Sequence, residues 1–150
     1  MRSTARRGSR SRGQSLAEFA LVLPVFLLLL GGIIQFGLIF WGQNTLNQIV
    51  RDTGRWAASQ QDCSSGTDRV VTTANGIAKN SSLIGYSSTA PWSVSNVTAT
   101  WSGTCPPTSN KEIGLVTISI THKVPVFFPW LPGNGNISST TQFRLEPVPK

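Results

Sequence analysis

Hydrophobic positions are spaced in three different ways along this chain, and each spacing predicts a different element. From Phe19 to Trp41 they are nearly continuous: across 23 residues only Gln35 is strongly polar, and Pro24 is the one breaker. A helix of that length rises about 35 Å at 1.5 Å per residue, enough to cross the hydrocarbon core of a bilayer. Past Trp41 the pattern thins to a helical rhythm. Leu46, Ile49, Val50, Thr53 and Ala57 recur at i, i+3 and i+4, while Asn44, Asn47, Gln48, Arg51, Asp52 and Arg55 fill the other faces. No proline separates Trp41 from Gln60, so the spacing predicts one helix from about Ser15 to Ser59. Gly54 lowers its helix propensity by about 1 kcal/mol without breaking it.

Cys63-Ser-Ser-Gly66 reads as a turn, and Thr67 or Asp68 can cap a second, shorter helix through about Asn80. Beyond it the period changes from 3.6 to 2. Trp92 and Val94, then Val97, Ala99 and Trp101, alternate with Ser and Thr, and the phase slip near Asn96 predicts a bulge. Val116, Ile118 and Ile120 alternate with Thr117, Ser119 and Thr121 in the clearest strand. Ile137, Thr141, Phe143 and Leu145 make another. The predicted class is α+β. A long transmembrane helix continues outside the membrane, a short second helix follows, and the C-terminal antiparallel sheet has about three to four strands.

Between the last two strands runs Val124-Pro-Val-Phe-Phe-Pro-Trp-Leu-Pro-Gly-Asn-Gly-Asn136, too apolar for an ordinary solvated loop. Two roles stay open for it. Phe127, Phe128, Trp130 and Leu131 fill the core under the sheet, or they touch the membrane surface or a neighbouring subunit.

Charge places the ends of the long helix. The net charge is +7, but Arg2, Arg6, Arg7, Arg10 and Arg12 supply +5 of it within the first 13 residues. Residues 42–150 hold eight Lys/Arg against five Asp/Glu. The basicity is a head rather than a face. No Arg/Lys stripe with interleaved aromatics follows, which argues against nucleic acid as a partner. The positive-inside rule keeps this head in the cytoplasm and puts everything after Trp41 outside. A secretory signal would have an apolar run of only about 7–15 residues and small residues at a cleavage site. Here Trp41-Gly-Gln-Asn-Thr-Leu46 follows, so the segment is retained. The twin Arg6-Arg7 lacks the hydrophobic neighbours of a twin-arginine export signal.

The chain divides into a basic cytoplasmic leader (1–13), an apolar transmembrane helix (14–41), its extracytoplasmic continuation (42–60) and a small α+β domain (61–150). Cys63 and Cys105 are the two cysteines. On an oxidising side an isolated pair most simply forms a disulfide, the alternative being two unpaired or buried thiols. Closing that loop would stabilise a small domain by roughly 4 kcal/mol in the chain-entropy model. His122 is the single histidine and there is no Cys-x-x-Cys, so no metal site, cofactor site or catalytic constellation is readable, and an enzyme is not expected. Asn80, Asn96 and Asn136 begin glycosylation-like triplets that chance explains in a chain this rich in Ser, Thr and Asn.

The most specific feature is the seven-residue string Gly13-Gln-Ser-Leu-Ala-Glu-Phe19. Glu18 sits at the lip of the apolar run, where an acidic side chain is costly and a plain anchor would use Lys or Ser. The string, with an apolar helix and early proline behind it, resembles the start of TadE-like pseudopilins. These are minor pilin-like proteins of the tight-adherence, or Flp-type, pilus machinery in the type IV pilin superfamily. The resemblance covers roughly residues 10–55, and the rest agrees only in architecture. Phe19 stands where major Flp pilins usually have tyrosine, a departure consistent with a minor subunit.

The resemblance implies a membrane prepilin peptidase that cuts after Gly13 on the cytoplasmic face. Gln14 then becomes the mature N-terminus and Glu18 the fifth mature residue. It also implies assembly contacts through Glu18 and Phe19, with other pilin-like subunits, the Tad inner-membrane assembly platform and membrane lipid as partners. The mature protein stays in the inner membrane or enters the pilus. The competing reading is a single-pass anchored extracytoplasmic binding domain that is never processed.

Overall fold

A computed structural model describes residues 10–60, 66–87, 94–107, 112–129 and 134–147. Helix α1 runs from Arg10 to Ser59, 50 residues or about 75 Å at 1.5 Å per residue. It starts five residues earlier than the spacing predicts. Arginine is a good helix former, and Gly13 costs too little to stop the helix from reaching Arg10. Pro24 lies inside the helix.

Helix α2 spans Gly66–Asn80, with Asp68 in its first turn and Lys79 in its last, both favourable to the helix dipole. Strands β1 (Ser95–Gly103), β2 (Gly114–Lys123) and β3 (Asn136–Arg144) form one antiparallel sheet in the order β1-β2-β3. The register between β1 and β2 shifts between Ser95 and Thr98, so the bulge falls where the phase slip predicts it. Asn96 takes a φ of 51° there, a left-handed conformation that asparagine tolerates better than most residues.

Both spacings resolve into one core. Leu46, Ile49, Val50, Thr53 and Ala57 are all buried, and β2 and β3 pack on this face of α1. Val116, Ile118, Ile120 and His122 point inward from β2, the central strand. Val70, Ala74 and Ala78 bury one side of α2, which packs against α1 and β1. His122 donates from Nε2 to the Ile84 carbonyl at 2.9 Å, and the Tyr86 hydroxyl donates to the Asn75 carbonyl at 3.0 Å. These two bonds fasten the segment after α2 to the sheet and to the helix.

The buried stripe on α1 starts well before the amphipathic stretch. Gly31, Gln35 and Gly42 are buried too, so the sheet side of the molecule reaches down the helix to its apolar half. Before Gly31 most of the helix surface is exposed, and among the described residues only Phe128 approaches it, near Leu27 and Leu30. Leu16, Phe19, Leu21, Val25, Phe26 and Leu29 are all more than half exposed.

Candidate functional site

Gly13 lies within the first turn of α1. Four amide groups at a helix start have no intrahelical acceptor, so this turn opens more easily than any behind it. A glycine adds to that ease, because it gains more backbone freedom on unwinding than other residues do. The position is also sterically open: outside its own helical turn, a Cβ built at Gly13 meets no atom of the described residues within 4 Å.

One turn later the Gln14 side-chain amide donates to Glu18 Oε1 at 3.3 Å across an exposed i, i+4 pair. Glu18 is exposed, with exposed Leu16 and Phe19 beside it, so its carboxylate stands at the foot of an apolar surface that no other described part of the chain covers. Gly13, Gln14, Glu18 and Phe19 therefore fall within two turns of one exposed helix end. Arg2, Arg6 and Arg7 lie outside the described residues.

The other end of the uncovered segment is marked by Gln35. Only 2 % of it is exposed, and its side chain bridges to the loop after β2. Its Nε2 donates to the Pro125 carbonyl at 3.4 Å, and its Oε1 accepts from the Phe127 amide at 2.9 Å. Beside it the Phe128 ring lies over Gly31, where a Cβ would approach the ring to 3.1 Å. Of the loop's described residues, Val124 joins the core, whereas Phe127 and Phe128 do not fill it. Phe128 packs on the apolar half of α1 and Phe127 is mostly exposed; Trp130 and Leu131 lie outside the described residues. In the sequence Gln35 is the one polar interruption of the apolar run, and its partners lie too far along the chain to be read from it.

Of the two cysteines, Cys105 sits half-buried in the turn between β1 and β2, against the core, and is not a free thiol. Cys63 lies outside the described residues. Among the described residues no group of His, Cys, Asp and Glu is placed to hold a metal ion.

Residues 13–55 match the model of a family described as TadE-like protein. The chain carries a TadE-like segment. Its match begins at Gly13 and ends one residue beyond Gly54, so it takes in the exposed helix end, the uncovered apolar stretch and the face that receives the sheet. Helix α2 and the sheet lie outside the match. No curated protein and no solved structure matches the chain. Among the described residues, Gly13–Ser59 of α1 is long and apolar enough to cross a membrane, by length and composition.

Proposed function

We propose that this protein is a minor pilin-like structural subunit, a pseudopilin, acting in the assembly or initiation of a Tad/Flp-type pilus and not as an enzyme. A prepilin peptidase cuts it after Gly13. Its N-terminus faces the cytoplasm, and its α+β domain lies outside the membrane. The observation that carries this reading is the division of α1: an exposed Gly13–Phe19 end and uncovered apolar surface below, a folded domain mounted on the same helix above. Such a helix needs lipid around its lower half before assembly and neighbouring subunits, or lipid, after it.

The chemistry of maturation supports the same reading. Cleavage removes all five head arginines and frees an α-amine at Gln14, one helical turn from Glu18. In an apolar layer the amine of a neighbouring subunit offsets the Glu18 carboxylate, since close opposite charges in low dielectric favour ionisation of both. Until the chain is cut, that amine does not exist. Cys63 and Cys105 pair in the outer domain and clip the β1–β2 turn to the segment after α1.

Mass spectrometry of the chain isolated from its own cells tests the proposal. Loss of residues 1–13 is the expected result. A full-length chain in the membrane would leave an anchored, unprocessed domain in its place.

A further inference from the structure

The Val124–Pro129 loop is held on the bilayer side of the point where the long helix leaves its apolar stretch. Exposed apolar side chains line α1 as far as Phe40 and Trp41, the latter 56 % exposed. Gln43, Asn44, Asn47 and Gln48 follow at once. Tryptophan at such a transition is the side chain that settles at a membrane–water boundary. The loop, however, is fastened at Gly31 and Gln35, six to ten residues before Trp41. At 1.5 Å per residue that is about 9–15 Å toward the uncovered apolar half of the helix.

Backbone that lies at membrane depth must have its polar groups satisfied by protein. Part of this loop's polar backbone is satisfied in that way. Pro125 and Pro129 have no N–H to satisfy. The Phe127 amide donates to Gln35 Oε1 and the Pro125 carbonyl accepts from Gln35 Nε2. The Val124 amide donates to the Gly135 carbonyl at 2.8 Å. One glutamine in an apolar run thus serves both a donor and an acceptor of the loop. The side chains complete the picture: Phe127 is 62 % exposed, and Phe128 closes an apolar groove with Leu27, Leu30, Gly31 and Ile34.

We propose that the Val124–Pro129 loop enters the leaflet on the sheet's side of the membrane, with Phe127 among the lipid chains and Gln35 solvating its backbone. The occupant of this surface is bilayer lipid, because the loop continues the apolar face of the spanning helix without a polar break. The loop fixes how deep the outer domain sits, adding a second membrane contact to the helix. The inference rests on α1 crossing a membrane, as proposed above.

The test uses the full chain in phosphatidylcholine vesicles with an environment-sensitive fluorophore on a single added cysteine; the chain without it is the blank. Phe127→Cys, Ile33→Cys and Gln142→Cys are compared. Ile33 is exposed on the spanning helix. Gln142 is exposed on β3 next to Phe143, which packs over Gly54 about 28 Å further along α1 than Gln35. The expected result is a blue-shifted emission at residue 127, quenched by spin-labelled lipid about as strongly as at Ile33 and insensitive to aqueous iodide, with the reverse at Gln142. Iodide quenching at 127 would overturn the proposal. So would a blue-shifted label that neither quencher reaches, which marks contact with protein or a second copy. Loss of lipid quenching at Ile33 as well would instead overturn the membrane-spanning reading. In a second arm, Gln35→Leu should lower lipid quenching at 127 toward the Gln142 level and leave Ile33 unchanged; unchanged quenching at 127 would remove Gln35 from the account.

Discussion

The aromatic ring of Phe143 on β3 lies directly on the backbone of Gly54 in α1, so closely that a methyl group at residue 54 would overlap it. This contact joins the sheet to the upper helix. Gly54 is buried, one turn before Ala57 and Ala58, and the absence of a side chain there lets the two elements touch.

Gly54→Ala should therefore destabilise the protein although alanine is the better helix former. Overpacking typically costs about 1–3 kcal/mol, against a propensity gain of about 1 kcal/mol. Gly76 supplies the control, since a Cβ there, within α2, meets no atom of the described residues beyond its own helical backbone within 4 Å. Gly76→Ala should raise stability by about 0.5–1 kcal/mol. Thermal unfolding of the two variants in detergent, followed by circular dichroism, should shift in opposite directions.

The same pair of residues shows where reading the sequence stops. Leu46, Ile49 and Val50 declare a helical face by their own spacing, and Val116, Ile118 and Ile120 declare a strand by theirs, because each pattern is written within one element. The bulge at Asn96 is legible for the same reason. Gly54 reads only as a weak spot in a helix, since the ring it accommodates comes from β3, 89 positions later. Gln35 reads as an interruption because its partners, Pro125 and Phe127, are 90 and 92 positions away. Gly13 to Phe19 is the opposite case. That string resembles a family motif as it stands in linear order, so it is visible without the fold.

Processing is read by Gly13→Arg. No described residue crowds Gly13, so the substitution should leave the fold intact and a failure to mature should report on recognition. A full-length precursor should accumulate in the membrane, visible as a mass shift on an immunoblot. Normal maturation of the variant would move the cleavage site elsewhere.

The outer domain should depend on both cysteines equally. Cys63→Ser and Cys105→Ser should each lower its stability by about 2–5 kcal/mol, the usual range for a native bridge in a small secreted domain. The double variant should be no worse than either single one, because both remove the same bond. Thiol labelling of the unfolded protein, before and after reduction, checks the premise; two reactive thiols before reduction would rule out the bridge and the clip it places on the β1–β2 turn.

Glu18 separates processing from assembly. It lies five residues past Gly13, and its described partner is the Gln14 side chain of its own helix, an exposed contact that water replaces at little loss. Glu18→Ala should accordingly be inserted and cut like the natural chain. It should nevertheless fail to support pili, because the mature amine of a neighbouring subunit would enter the apolar layer with no carboxylate to meet it. Glu18→Gln is the sharper variant. It keeps the size of the side chain and its capacity to hydrogen-bond with Gln14 while removing the charge. If charge pairing is what Glu18 provides, the glutamine variant should fail as the alanine variant does. Electron microscopy of surface pili, alongside an immunoblot for the cut form, gives both readings from one culture. Normal pili on Glu18→Gln cells would refute the charge pairing and leave packing at the helix end as the role of this position.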